Sequence, residues 1–225
     1  MNPTKVCIFN NVIQSNPQET TLEEIVRVMQ TSKRLEDLCR QRKKYIKMGN
    51  KMKADHIKKK MLPAFSPIAY YFGGKRREDV IWLTDICFLD YDHVEEEKLT
   101  QAIQALRKDE HTLLACRSVS GDGLHLLIRY KFQNREHPGI ENMTCNRMNF
   151  TYGSVFKTIS RHYAKIMDFP IDKQGSNMER LCIISYDSDL YYNPSAIPIV
   201  LMYEQRKRTK YPKVFNEVTA SDISN

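Results

Sequence analysis

The sequence lacks several features that would each have pointed elsewhere. No apolar run approaches the roughly 20 residues a membrane-spanning helix needs. The opening MNPTKVCIFNN has no signal-peptide pattern, so a cytoplasmic chain with no membrane partner is expected. There is no CxxC pair. The six cysteines stand singly at 7, 39, 87, 116, 145 and 182, which speaks against a zinc knuckle and, in an intracellular setting, against disulfides. Cys87, Cys116 and Cys182 lie in apolar, strand-like runs where core packing is the default role. A His-x-His pair is missing, which disfavours a rolling-circle nickase, and there are no internal repeats or low-complexity stretches.

What is present is enough for a core. The chain has 225 residues, 41% hydrophobic and 28% charged, which suits one large domain or one domain with an accessory lobe. The net charge of +8 is unevenly placed: Arg40–Lys60 holds ten Lys/Arg and one Asp, a local +9, leaving about −1 elsewhere. A second basic cluster, RKRTKYPK, lies at 206–213. Such surfaces attract phosphate-rich partners, although a solvated helix face has the same composition. Lys43, Lys44, Lys47, Lys51, Lys58, Lys59 and Lys60 are the candidate nucleic-acid contacts. Tyr45, Tyr70, Tyr71 and Phe72 lie near the basic runs and suit either base stacking or core packing.

KVCIFN reads as a short strand, and TTLEEIVRVM as a helix opened by a Thr21/Glu24 capping box. A second helical stretch crosses the basic segment, with a break at Gly49-Asn50. From residue 80 the pattern is regular. DVIWLTDICFLDYD is strand material, and Val94, Leu99, Ile103 and Leu106 fall on one helix face. TLLACRSV and LHLLIRY are strands joined by the tight turn SGDG. A helix covers roughly 148–167, and RLCIIS is a closing strand. The order β-α-β-β-α-β predicts an α+β fold with an RRM/ferredoxin-like core, helices on one sheet face and the other face open to a ligand. A mostly helical N-terminal extension precedes it. The expected boundaries are 1–60 for an N-terminal strand and basic helical lobe, 61–196 for the core, and 197–225 for a basic, partly disordered tail.

The run ICFL ends in Asp90 and Asp92, two positions apart, so on a strand both carboxylates point to one face. Paired carboxylates are costly unless a cation lies between them, and hard oxygen donors suit Mg²⁺ or Mn²⁺. The competing role for Asp92 is to cap the following helix, with Glu95 as the box partner. On LHLLIRY, if Leu124, Leu126 and Ile128 face the helices, His125 and Arg129 project onto the open face, where they could hold triphosphate oxygens.

Taken in order, FLDYD, SVSGDGLH and IDKQGSNMERLCIISYD resemble the three signature motifs of the archaeo-eukaryotic primase (primase-polymerase) superfamily. The resemblance is nearest to the primase-like N-terminal domains of bacterial mobile-element replication proteins. It spans about residues 60–196 and includes LPAF at 62–65 and RLCIISYDSDLYYNPSA at 180–196. It implies that Asp90, Asp92 and Asp172 bind Mg²⁺ or Mn²⁺ and carry catalysis. His125 would contact nucleotide phosphates, Ser118, Ser120, Gly121 and Gly123 would shape a phosphate loop, and Arg180 would contact nucleotide or template. The implied activity is template-directed nucleotidyl transfer by a DNA primase or primase-polymerase. Its partners would be single-stranded DNA, NTP or dNTP, and a helicase, separate or fused. Asp168, Glu179, Asp187 and Asp189 are nearby candidates for the third acid, and motif order favours Asp172. Asp122 departs from the pattern by placing an acid in the turn. The alternative function is a catalytically inactive single-stranded-DNA-binding module of a replication initiator. A sugar transferase with an Asp-x-Asp metal site is disfavoured by chain length and pattern.

Overall fold

A computed structural model describes residues 3–133, 143–204 and 213–216. The chain starts with β1 (Lys5–Phe9), returns as β2 (Gln18–Thr21) and passes into α1 (Leu22–Thr31). Thr21 caps α1 by accepting from the Glu24 N–H, but the Glu24 carboxylate turns to Arg27. α2 (Lys33–Lys47) and α3 (Lys51–His56) follow. They break where expected, with Gly49 at φ +70° and the Asn50 side chain accepting from the Lys53 N–H. After a π-helical turn at Ile57–Met61 come β3 (Ala64–Ser66), β4 (Ala69–Tyr71) and β5 (Val80–Leu83). β6 (Ile86–Tyr91), α4 (Glu96–Leu106), β7 (Thr112–Arg117), β8 (Leu124–Phe132) and α5 (Cys145–Tyr163) make up the regular stretch. β9 (Cys182–Ile183), β10 (Tyr191–Tyr192), β11 (Ile199–Glu204) and β12 (Lys213–Asn216) complete an α+β fold.

β8 organises the larger sheet. Along one edge it pairs antiparallel with β7, beyond which lies β10. Its other edge serves two strands in succession. β6 pairs antiparallel with Leu124–Arg129, and β11 pairs parallel with Tyr130–Phe132, with β12 outside it. A second sheet has the order β2-β1-β3-β9. On β6, the Phe88 N–H donates to the Tyr152 hydroxyl and the Asp90 carbonyl accepts from the Asp172 N–H at 2.8 Å, so α5 and the segment at 172 take up backbone groups of that strand.

Several expectations change. The closing strand at 180–185 contracts to Cys182–Ile183 and pairs with β3, not with β6. The sheet face at His125 opens only onto a cleft that this residue helps to line. Leu124, His125, Leu126, Leu127 and Ile128 are all buried, as an almost unbroken apolar run on a central strand requires. The boundary at 60 does not separate two units, because β1 pairs with β3 within one sheet. The predicted tail at 197–225 contains a structural strand, β11, with Ile199, Leu201 and Tyr203 buried. Residues 206–212 of the basic cluster lie outside the described residues. All six cysteines are free, and no helix among the described residues is long and apolar enough to cross a membrane.

Candidate active site

β6 delivers its acids as the two-residue period dictates. Asp90 and Asp92, with Asp172 from the loop after α5, offer carboxylate oxygens that all lie within 4.8 Å of one another. Asp90 is buried, Asp172 half-buried and Asp92 exposed. Asp92 does not cap α4: the N-cap is Glu95, which makes no side-chain cap bond. Instead the chain turns sharply after Asp92, with His93 at φ +56°, a left-handed conformation that costs roughly 1 kcal/mol. The Val94 N–H then donates to the Asp122 carbonyl at 2.7 Å, tying the strand end to the hairpin turn. Asp172 is fixed by its backbone bond to Asp90 and by its Oδ1, which accepts from the Gln174 N–H at 2.9 Å. The competing acids are engaged elsewhere, apart from Asp168, which stays outside the cluster. Glu179 pairs with Arg77, Asp187 accepts from the Arg117 and Asp189 N–H groups in an Asx turn, and Asp189 pairs with Arg107.

Arg180 neutralises the acidic set from within. Its Nη2 donates to Asp90 Oδ2 at 2.8 Å and to Asp172 Oδ2 at 2.9 Å, and its Nη1 donates to Gln174 Oε1 at 2.9 Å. Burial works to lower the guanidinium pKa, but the bond to Asp90 and the charges of Asp90, Asp172 and Asp92 outweigh it and raise it. Asp90 Oδ1 remains buried with no hydrogen-bond partner. It lies 3.5 Å from His125 Nε2, whose ring contacts Cys182 Sγ through Nδ1 at 3.3 Å. Burial pushes the His125 pKa down, against the fields of Asp90 and Asp92. An orphaned buried carboxylate oxygen with two further carboxylates beside it fits a hard divalent cation, held by Asp90, Asp92 and Asp172.

Asp90, Asp92, His125, Gln174 and Arg180 line a cleft of about 660 Å³ together with Ser118, Val119, Ser120, Lys58 and Lys75. The loop joining β7 to β8 is closed by Ser118 N–H to Gly123 carbonyl at 2.8 Å and by Gly121 N–H to Ser118 carbonyl at 2.9 Å. Two glycines are needed here. Gly121 has φ +87°, and a β-carbon on Gly123 would sit 2.6 Å from the Tyr91 carbonyl oxygen, so the hairpin can lie directly against the end of β6. The Asp122 carboxylate turns to His93 Nδ1 at 3.1 Å and does not line the cleft, so the acid in the turn does not oppose an anion there.

Arg129 is not brought to the site. It donates to the Pro194 carbonyl and to Thr4 Oγ1, fastening β8 to the start of the chain. Lys58 lines the cleft, whereas Lys44, Lys47 and Lys51 on α2 and α3, and Lys59 and Lys60 in the π-helical turn, are exposed. Lys43, exposed too, lies against the hairpin turn at Gly121. Of the aromatics, Tyr71 is buried, Tyr70 stacks on Trp82 and bonds Glu19, Tyr45 lies under Lys53, and Phe72 is exposed. Sequence reasoning missed several cleft residues, Lys75 and Gln174 among them. Lys75, whose Nζ donates to the Val12 carbonyl, follows Gly73-Gly74 in a segment read as a connector. Gln174 sits in the motif without a distinguishing signal.

The sequence pattern described as BT4734-like, N-terminal domain, matches residues 56–192, more than half of the chain, including all three aspartates and the hairpin. No curated protein and no solved structure matches the chain.

Proposed function

The chain belongs to the BT4734-like N-terminal domain family, and from its acidic cleft we propose that it is a DNA primase or primase-polymerase, a metal-dependent nucleotidyltransferase acting on mobile or plasmid-like DNA. One observation carries this reading. Asp90, Asp92 and Asp172 offer carboxylate oxygens within 4.8 Å of one another, and Asp90 and Asp92 line a cleft together with Ser118, Ser120 and two lysines. Acids and phosphate-compatible donors in one cleft suit a nucleoside triphosphate with its cation.

In this reading Asp90, Asp92 and Asp172 hold Mg²⁺ or Mn²⁺. A divalent cation bound there supplies activation of the attacking 3′-hydroxyl and charge neutralisation on the leaving pyrophosphate. Arg180 keeps the carboxylates together before substrate arrives and offers its guanidinium to nucleotide or template. Ser118 and Ser120 orient phosphate oxygens, Lys58 and Lys75 add positive charge, and His125, on the cleft lining 3.5 Å from Asp90 Oδ1, positions that carboxylate. Lys44, Lys47 and Lys51, exposed on α2 and α3, receive single-stranded DNA, with a helicase partner separate or fused in the full-length protein.

A second reading has an observation in its favour. Arg180 already bridges Asp90 and Asp172, an internal cation that would suit a catalytically inactive DNA-binding module of a replication initiator. Labelled-nucleotide incorporation on single-stranded DNA with Mg²⁺ or Mn²⁺, with and without primer, separates the two. The expected result is product from the wild type and none from Asp90→Ala/Asp92→Ala, with DNA binding retained. Synthesis by the double variant would sink the assignment. DNA binding without synthesis in any condition would favour the inactive module.

A further inference from the structure

α2 carries one feature that neither the acidic cleft nor the DNA-binding surface uses. Its buried residues are Leu35, Leu38, Cys39 and Arg42, so an arginine occupies a position on the core-facing stripe. Arg42 is 7% exposed, and among the described residues it has no ion-pair partner within bonding distance. Its Nη1 donates to the Val119 carbonyl at 3.2 Å, while its Nε is buried with no partner. Burial pushes the Arg42 pKa down against the fields of Asp55 and Asp122, neither of which bonds it; a buried guanidinium with no bonded carboxylate is costly, and a fold keeps one where its charge or its donors serve something else. The neighbouring residue touches the same loop. Lys43 Cε and Nζ lie 3.1 and 3.2 Å from where a β-carbon on Gly121 would sit.

We infer that Arg42 and Lys43 are positioning residues for the nucleotide's phosphates, holding the Ser118–Gly123 loop from behind and lending it positive charge. This rests on the nucleotide-binding reading of the cleft and adds α2, which lies outside the matched residues 56–192, to the substrate site. Arg42 grips the loop at Val119, between the two serines that line the cleft, and Lys43 packs over the left-handed Gly121. Ser118 and Ser120, whose hydroxyls lie 3.2 Å apart, are thereby held as a pair. Neither α2 side chain lines the cleft, so both act through the loop.

The test is calorimetric titration of the full chain with inorganic tripolyphosphate and with MgATP, alongside turnover. Arg42→Met removes both charge and donors and is expected to weaken tripolyphosphate binding roughly tenfold, and Arg42→Lys roughly threefold. Lys43→Gln, at an exposed position that does not risk the fold, is expected to weaken it about threefold with single-stranded-DNA affinity unchanged. In turnover the nucleotide KM rises while kcat stays within about twofold. Lys43→Gln with wild-type tripolyphosphate binding and weakened DNA binding would overturn the inference and return Lys43 to the DNA surface. Equal tripolyphosphate affinity of wild type, Arg42→Lys and Lys43→Gln would also overturn it. No binding of either probe by the wild type would remove the nucleotide reading itself, a result distinct from equal binding by the variants.

Discussion

Replacing Arg180 by Gln tests the electrostatics of the acidic cluster without needing an active enzyme. The guanidinium bridges Asp90 and Asp172 at 2.8 and 2.9 Å, and removing it leaves carboxylate oxygens within 4.8 Å of one another. Two unit charges at that separation repel by about 3.5 kcal/mol at an effective dielectric of about 20. Asp172 and Arg180 are partly exposed, which screens the interaction, so a loss of about 2–3 kcal/mol is expected. For a chain of this length that lowers Tm by roughly 5–10 °C. Differential scanning fluorimetry in EDTA should show the drop. Mn²⁺ at about a hundredfold over its Kd should recover about 2.7 kcal/mol. The variant should gain more from Mn²⁺ than the wild type, whose cluster is already neutralised by Arg180. Arg180→Lys, which keeps one charge but loses the second nitrogen that bonds Gln174, should fall between the two. An unchanged Tm in EDTA, or equal gains from Mn²⁺ in variant and wild type, would refute this account of the site.

Gly123→Ala places a β-carbon 2.6 Å from the Tyr91 carbonyl and 2.7 Å from Ser118 Oγ. Because a backbone oxygen cannot yield, a loss of about 1–3 kcal/mol with weakened nucleotide use is expected, read by urea denaturation and nucleotide KM. Arg129→Ala removes two hydrogen bonds far from the cleft and should lower stability by about 1–3 kcal/mol while leaving KM unchanged, checked by the same pair of measurements. Asp122→Asn should leave nucleotide affinity within about twofold, because the carboxylate faces His93, and a large gain would show that it does oppose phosphate. Replacing Lys44, Lys47 and Lys51 by Gln should flatten the dependence of log K on log salt by up to about 2 for single-stranded DNA, and an unchanged slope would place the DNA elsewhere.

Asp90 and Asp92 were legible because strand periodicity is local, and two acids ending an apolar run have few structural uses. Asp172 needed motif order, since nothing in its own neighbourhood distinguishes it from Asp168. Arg129 was misassigned for a geometric reason. Alternation puts residues 125 and 129 on one face, but four residues along a strand span about 13 Å, and Arg129 is not among the residues that line the cleft. The sheet face is open only at the cleft beside His125, because LHLLIRY is apolar at 124, 126, 127 and 128, the mark of a strand covered on both sides over most of its length. Arg42 was hidden in a basic run, although its spacing from Leu35, Leu38 and Cys39 puts it on the buried helix stripe. IVLMYE at 199–204 was read as tail because the basic cluster after it dominated the composition.

The shared edge of β8 has a consequence for how the protein is made. Tyr130–Phe132 find their ladder partners in Ile199–Leu201, and β9, which brings Cys182 to His125, pairs with β3. During synthesis, the aspartate strand and its hairpin therefore emerge well before the segments that seal them. Until Ile199–Leu201 leave the ribosome, Tyr130–Phe132 of β8 lack their ladder partners and are a template for intermolecular pairing. A fragment cut to 56–192 would keep every aspartate of the site yet lose β1, α2 and β11 together. Such a fragment is expected to aggregate, which makes the flanking strands a condition for obtaining the site in soluble form.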